Sequence, residues 1–449
     1  MRTRPPISWS DLRGRAVGVW GLGVEGRASV RKLSVLGVEP VVVVDDRPVA
    51  GGIDEPTGLP VLATAAGGLD ALTRCEVVVK SPGISRSRPE VALIEAGGTP
   101  ITGGLGLWLE DVDRTRVVCV TGTKGKSTTT AVAAHLVERL GHRVLAGGNL
   151  GVPPYDPLAP TDVDYWVVEV SSYQATDVTS SPPVVAVTSL HPDHLPWHGG
   201  DAEAYYADKL SLCTQPGAEL TVANGDSPLL RERRAQLGPR GEWIAAPPDG
   251  PAPVGDWTAP LGLLGVHNHR NALIARACLV GLGVAGADDD AALARAAEGF
   301  EHLESRLHPV ALVDGVLFVD DGLSTNVLPT LAAVDAFPGR RVAVIVGGQD
   351  RGIDYTPLAE GLAGRPAPTL VAIAASEAAA RIAAVASVPS DTRLDVVELD
   401  GIEAATRASF DWAHPDGVVL LSPAAPSFDR YRDYRARSAA FVAAIDGCR

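Results

Sequence analysis

The chain has 449 residues, a length that suggests about three domains. Hydrophobic residues make up 46% and charged residues 21%, a balance that builds cores and excludes a disordered chain. With 54 acidic against 39 basic residues the formal net charge is -15, which argues against a broad nucleic-acid footprint but not against small anionic substrates held at a local positive site.

The first residues, MRTRPPISWSDLRG, carry basic side chains with no apolar stretch behind them, so no secretory signal is expected. Apolar runs such as 342–346 are too short for a membrane span. Cys75, Cys119, Cys213, Cys278 and Cys448 are scattered without a CxxC pair, which suits a reducing compartment and a cytoplasmic protein.

A Val-rich run at 16–20 predicts a strand, followed by Gly21-Leu-Gly23-Val-Glu-Gly26 and a helix over 26–36. Asp45 and Asp46 close a second strand at 41–45, about twenty residues on, where a dinucleotide site would want an acid. Three readings stand: an NAD-dependent oxidoreductase, glycines that only permit a tight turn and close helix packing, or a seat for the diphosphate of a nucleotide-linked substrate. A strand follows at 76–79, and the Gly-rich stretch 100–114 reads as a domain boundary.

The strongest signal lies at 117–140. A strand at 117–121 runs into Gly122-Thr123-Lys124-Gly125-Lys126-Ser127-Thr128 and then a helix over 127–140. Glycines let backbone N–H groups converge on phosphate oxygens, Lys126 reaches the β/γ-phosphates and the Ser127 hydroxyl ligates Mg²⁺. Val120 stands where the usual spacing has a further glycine, so the loop is a shortened form. A separate ATP-type loop favours the third reading of Gly21–Gly26, because a dehydrogenase has no use for it.

Strands are expected at 165–170 and 184–188. Glu169, ending the first, suits Mg²⁺ beside the phosphate loop. After the second, His191, His194 and His198 lack the cysteine partners of a structural zinc, and Pro192 and Pro196 break any helical face; one histidine acting on a magnesium site or substrate is the more plausible use. Lys209 reads as a solvated helix lysine. The stretch 245–260 is a Pro/Gly-rich loop, helices follow at 271–281 and 289–299, and a second boundary falls near 300–310. Beyond the strand-like ALVDGVLFVDD come helices at 328–336 and 376–386 and strands at 342–346, 369–373 and 418–422. The class is α/β throughout.

Taken with GLGVEG, SPGI (81–84), GTKGKST, GGNLG (147–151), VEVSSYQ (168–174), DHLPWH (193–198), YYADKL (205–210), HNHRNA (267–272), DDGLSTN (320–326), GGQDRG (347–352) and LLSPAAPSFDRY (420–431), the whole chain resembles the Mur ligases, which build the peptidoglycan stem peptide. Within that family it looks most like the enzymes that add glutamate to UDP-N-acetylmuramoyl-L-alanine. The resemblance implies a Rossmann-like UDP-binding domain (1–112), a central P-loop-type ATPase domain (113–304) and a Rossmann-like glutamate-binding domain (305–449). It places Asp45, Asp46, Arg47, Ser81 and Gly83 near uridine and diphosphate and Asn149 near the muramoyl group. ATP would meet the loop 122–128, with Asn268 and Asn271 on the adenine side and Arg306 and Asp321 reaching it from the third domain. Ser127 and Glu169 would hold one Mg²⁺, His194 and Lys209 a second, Lys209 matching the lysine that becomes carbamylated in the family. Lys126, Glu169, His194 and Lys209 make the catalytic set; Arg351, Ser427 and Tyr434 surround the incoming glutamate. Domain closure, a monomer, no nucleic-acid partner and no membrane insertion are expected.

The chain departs from the common D-glutamate enzymes where their DSKATN reads Asp321-Gly-Leu323-Ser-Thr325-Asn326, where their HR pair reads Ser305-Arg306, at Arg351 for lysine, and at Lys124 for asparagine. Most of these changes fall on the domain that receives the amino acid, and a guanidinium binds a carboxylate as a planar fork that an ammonium cannot mimic. The pattern leans to L-glutamate, with a drifted D-glutamate enzyme as the alternative. An NAD oxidoreductase and a non-catalytic nucleotide-binding protein remain as readings of other classes.

Overall fold

The computed structural model describes residues 4–48, 51–149, 151–245, 256–386 and 394–449; most of the loop expected at 245–260 lies outside the described residues. A first sheet is built from β1 (Val17–Trp20), β2 (Val42–Asp45), β5 (Leu62–Ala63), β6 (Val77–Lys80) and β7 (Ile101–Gly103), all parallel in the order β5-β2-β1-β6-β7; β3 (Ile53–Asp54) and β4 (Leu59–Pro60) form a small hairpin beside it. A second comprises β8 (Val117–Thr121), β9 (Val144–Gly148), β10 (Tyr165–Glu169), β11 (Val184–Val187), β12 (Leu220–Asn224) and β13 (Gly241–Ile244), again all parallel, in the order β13-β12-β11-β8-β10-β9. Every residue of β8 is buried, as expected of a strand covered by helices on both faces.

The third sheet has β14 (His308–Val313) antiparallel to β15 (Val316–Asp320), joined at Asp314-Gly315, where both residues take positive φ as a two-residue hairpin turn requires. β16 (Val342–Val346), β17 (Thr369–Ala374), β18 (Leu394–Leu399) and β19 (Val418–Leu421) complete it in parallel, in the order β14-β15-β19-β16-β17-β18. The described chain forms two compact units. The first carries the chain up to β13 together with Arg270–Gly299, and so both of the first two sheets. The second carries Gly262–His269 and Phe300–Arg449.

The expected Val-rich strands are present within a residue or two. Among those not expected, β9, β12, β13 and β18 mix glycine or polar residues into their runs and lose the continuous apolar signature, and β3, β4, β5 and β7 are only two or three residues long. The Gly-rich stretch at 100–114, read as a boundary, forms β7 and a helix, Gly104–Asp111, that buries residues 104 to 109. Its glycines serve close packing, since a Cβ on Gly104 would come within 2.3 Å of the Tyr155 ring and one on Gly106 within 2.3 Å of the Asp177 carbonyl oxygen. The helix expected at 271–281 begins earlier, as Val266–Gly281. The one expected at 289–299 shortens to Asp290–Ala296, capped by the Asp289 carboxylate, which accepts from the Ala291 and Ala292 N–H groups. All five cysteines are buried and free. Among the described residues no helix is long and apolar enough to cross a membrane.

Parallel order has one consequence for function. The loops carrying the chemically distinctive residues leave the C-terminal ends of their strands, and so gather on one edge of each sheet.

Candidate functional site

In the first sheet the turn after β1 is drawn tight by its neighbours. The Ser81 hydroxyl donates to the Gly21 carbonyl at 2.7 Å, and a Cβ on Gly26 would overlap that same oxygen at 1.8 Å. Asp45 ties the turn to the end of β2, accepting from the Leu22 N–H at 2.8 Å and the Arg47 N–H at 2.9 Å. Beside it a cavity of about 240 Å³ is lined by Leu22, Gly23, Arg27, Asp45, Arg47 and Asp54 among others. Asp46 turns instead to Thr64 (2.7 Å) and Arg88 (2.6 Å), and Arg88 lies 5.0 Å above the Trp20 ring. Arg88 was not signalled by the sequence, being 42 residues from its carboxylate partner. Gly83 accepts the Trp197 indole N–H at 3.2 Å, which brings the turn 194–198 against the loop after β6.

In the second sheet the loop after β8 leads into the helix Lys126–Arg139 through Gly125, whose φ of +93° only glycine adopts at ease. The loop is held by β11's exit: the Thr123 N–H donates to the Ser189 carbonyl (2.9 Å), the Lys124 N–H to the Ser189 hydroxyl (2.8 Å), and the Thr188 hydroxyl to the Lys124 carbonyl (2.6 Å). The helix opens at Lys126, and a helix N-terminus is a seat suited to an anion. The Lys126 ammonium reaches the Thr123 carbonyl at 3.3 Å.

Two elements then meet. The Ser127 hydroxyl donates to Glu169 Oε2 at 2.6 Å, while the Asn149 amide donates to Oε1 at 2.7 Å. Glu169 is buried at the C-terminal end of β10, between β8 and β9. Lys209 is not the solvated helix lysine its sequence suggests: it is buried, donates to the Gly122 carbonyl at 2.9 Å and lies 5.1 Å from the Tyr205 ring centroid. Burial and then the nearby Lys126 cation hold its ammonium well below the ordinary lysine range. His194 sits on the turn after β11 in a left-handed conformation (φ 51°), exposed, with its ring edge-on to Tyr173. Next to it Asp193 pairs with Lys124 at 3.3 Å. His198 is structural, its buried ring bridging Asp208 (2.7 Å) and Ser172 (3.1 Å). His191 contributes its backbone, both N–H and carbonyl meeting the Thr123 hydroxyl.

No group of three or more His, Cys, Asp or Glu able to hold a metal occurs among the described residues. The donor set still fits Mg²⁺, which keeps most of its waters and takes one or two protein oxygens plus substrate phosphates; the adjoining Ser127 hydroxyl and Glu169 carboxylate supply those. Lys209 as an amine is no magnesium ligand, and only a carbamate on it would be. Asn271 is buried in the helix Val266–Gly281, close enough to Gly125 that a Cβ there would lie 2.6 Å from its Oδ1.

In the second unit Asn268 is buried, its amide donating to the Leu264 carbonyl at 3.0 Å. Arg306 is half-buried between Ser305 (φ 55°) and Leu307 (φ 51°), a paired departure into the left-handed region of the kind that clusters at functional sites. Asp321, buried after β15, accepts from the Leu307 N–H (3.1 Å) and the Ser422 hydroxyl (2.8 Å); burial pushes its carboxyl up to about 7. Arg351 is exposed after β16, Ser427 buried after β19, and Tyr434 half-buried at the start of the helix Tyr434–Ile445. One residue the sequence did not single out organises these loops. The buried Arg437 guanidinium donates to the carbonyls of Gly322 (2.9 Å), Gly347 (3.2 Å) and Ala425 (3.0 Å), one after each of β15, β16 and β19.

Residues 120–243 match the family model described as the Mur ligase middle domain. The chain is 41% identical to a UDP-N-acetylmuramoyl-L-alanine–L-glutamate ligase of a Micromonospora species, over 97% of both chains, and 41% identical to a protein of the same name from Salinispora tropica, over 97% of this chain and 98% of that one. Among solved structures it is similar in fold to the MurF ligase of Thermotoga maritima in complex with ADP, with a TM-score of 0.53 and 15% identity over 99% of this chain and 98% of that chain.

Proposed function

The chain belongs to the Mur ligase family, and from that premise we propose that it is an ATP-dependent amide ligase joining L-glutamate to UDP-N-acetylmuramoyl-L-alanine in peptidoglycan precursor synthesis. The observation that carries the reading is the meeting of Ser127 and Asn149 on the two oxygens of Glu169, at the mouth of a glycine loop bearing Lys126. A Mg²⁺–ATP site needs a carboxylate and a hydroxyl beside the phosphate loop, and a dehydrogenase does not.

Three sheets support three functional parts, 1–112 for the UDP-linked substrate, 113–304 for ATP and 305–449 for glutamate. The diphosphate is seated on the turn Gly21–Gly26, with Asp45, Arg47 and the cavity beside them receiving the uridine. ATP phosphates lie on the helix N-terminus at Lys126 with the Lys126 ammonium over them. The alanyl carboxylate attacks the γ-phosphorus, the bond to the β-phosphate oxygen breaks, and acyl-phosphate and ADP result. The glutamate amine then adds to the acyl carbon, loses its proton, and the intermediate expels phosphate to leave the amide.

The Lys126 ammonium and the helix amides offset the repulsion between two anions that must meet. Mg²⁺ held by Ser127 and Glu169, and a second ion by His194 and a carbamate on Lys209, would supply Lewis-acid polarisation of the transferred phosphoryl group. The Lys209 amine is suited to that modification because burial lowers its proton affinity and so favours the neutral form, which adds CO₂ with loss of a proton. Arg306 and Asp321 are assigned to ATP, and Arg351, Ser427 and Tyr434 to glutamate, on the family likeness. The L-glutamate assignment rests on the relatives' names and on Leu323 and Arg351 standing where the D-glutamate pattern has lysines.

Phosphate release by the purified protein tests the proposal. Release is expected only when ATP, UDP-N-acetylmuramoyl-L-alanine and glutamate are all present, with the L enantiomer preferred. Preference for D-glutamate would overturn the stereochemical assignment, and no release with either enantiomer would overturn the ligase reading.

A further inference from the structure

Glu25 takes no part in the proposed chemistry, yet its carboxyl is placed unlike that of a surface-helix glutamate. It is the second residue of the helix Val24–Val35, inside the turn Gly21–Gly26, and its half-buried side chain turns to Tyr155 and Gln174. Oε1 accepts the Gln174 amide N–H at 2.7 Å and Oε2 the Tyr155 hydroxyl at 3.2 Å. Among the described residues it has no ion-pair partner. The charged groups that face it are committed elsewhere. Lys80, at the end of β6, is bound to Asp177 at 2.6 Å; Asp177 itself follows the helix Ser172–Ala175. On its own helix Arg27 pairs with Asp54 and Arg31 with Asp156, the neighbour of Tyr155. Enclosure without a cation therefore pushes the Glu25 carboxyl up to about 7, against the pull of its two hydrogen-bond donors.

With the diphosphate seated at this turn, the reading on which the inference rests, a dianion arrives at the first N–H groups of the helix. There it meets a carboxylate already drawing on the same helix dipole, in surroundings where water screens poorly. An ionised Glu25 opposes that arrival, and a protonated one does not. Its hydrogen-bonded links survive neutralisation, because Gln174 still donates to one oxygen while the new O–H can donate to the Tyr155 oxygen. Gln174 in turn accepts from the Ser171 N–H (2.8 Å), two residues beyond Glu169, so the turn stays joined to the strand end bearing that carboxylate.

We propose that Glu25 takes up a proton from solvent as the UDP-linked substrate binds, so that occupancy of the diphosphate turn is proton-linked and substrate affinity falls as pH rises above neutrality. The diphosphate of a UDP-sugar is a diester with no titration in this range, so the proton is the protein's to bind.

Calorimetric titration of the full chain with UDP-N-acetylmuramoyl-L-alanine, at pH 7 in buffers of different ionisation enthalpy, reads the uptake directly. On the order of half a proton is expected at pH 7 for a group titrating there, and Kd should weaken by up to ~10-fold per pH unit above it. Glu25→Gln should bind with an enthalpy independent of buffer and a Kd flat between pH 7 and about 8.5. Gln174→Leu removes a donor that favours the anion, so it should shrink the uptake at pH 7, restore it at higher pH and move the fall in affinity the same way; it carries the test if Glu25→Gln does not fold. A buffer-independent enthalpy in the wild type, or uptake persisting in Glu25→Gln, overturns the inference. Absence of binding at every pH overturns the diphosphate reading on which it stands.

Discussion

Replacing Gly125 by Ala perturbs the phosphate loop at one atom, and a control for its backbone cost lies on the same helix. Gly125 precedes the helix Lys126–Arg139 with φ +93°, and Gly141 follows it with φ +95°. A Cβ on Gly141 meets nothing within 4 Å, whereas one on Gly125 lies 2.6 Å from Asn271 Oδ1 and 3.2 Å from its Cγ. Both alanines therefore carry the left-handed backbone cost, roughly 1–2 kcal/mol. Only the first adds an overlap with a buried side chain, of the kind that costs about 1–3 kcal/mol. Asn271 is short and rooted in a helix, so it relieves the overlap mainly by pushing the loop away.

If the whole penalty falls on the loop shape that grips ATP, about 2–5 kcal/mol corresponds to a loss of roughly 30- to several-thousand-fold in kcat/KM for ATP. Gly141→Ala should lose about 1–2 kcal/mol of stability and keep its activity. Phosphate release at varied ATP, paired with denaturant unfolding, separates the two. A Gly125→Ala enzyme within about threefold of wild type, when tenfold is worth only ~1.4 kcal/mol, would refute the reasoning, and so would a Gly141→Ala enzyme equally impaired.

Two further predictions concern titrating groups. Burial lowers the proton affinity of Lys209 and so favours the amine that adds CO₂; enzyme stripped of CO₂ should therefore lose most of its activity and recover it on addition of bicarbonate, while Lys209→Ala should not respond; equal activity with and without CO₂ would remove the carbamate from the mechanism. Asp321, with its folded pKa near 7 against 3.8, binds more protons folded than unfolded between those values. The contribution of Asp321 to stability is thus fullest below pH 4, falls as pH rises toward 7 by an amount on the order of a few kcal/mol, and is flat above. Asp321→Asn should abolish that part of the pH dependence in chemical unfolding of the chain. An unchanged difference between pH 5 and 7.5 would show the carboxyl to be ordinary.

Local pattern determined much of this protein. The strand-loop-helix at 117–140, the Gly21–Gly26 turn and the Val-rich strands were readable because a buried parallel strand is a continuous apolar run and a phosphate loop is a contiguous string of glycines, lysine and hydroxyls. The motif order carried the family. Where the apolar run is interrupted, as in β12 or β18, local pattern missed the strand, and what Gly104 and Gly106 pack against was not legible, because the deciding neighbour is far along the chain.

Tertiary structure alone decided the environments. Ser127 and Glu169 are 42 residues apart, Arg437 and Gly322 are 115 apart, and Glu25 and Gln174 are 149 apart, yet each pair is hydrogen-bonded. Lys209 looks like a solvated helix residue in the sequence and is buried in the fold, and Glu25 is half-buried against Gln174 and Tyr155. The reason is physical: residue type sets which protons a side chain can exchange, but desolvation and the nearest charge set whether it does, and both are supplied by segments that only folding brings together.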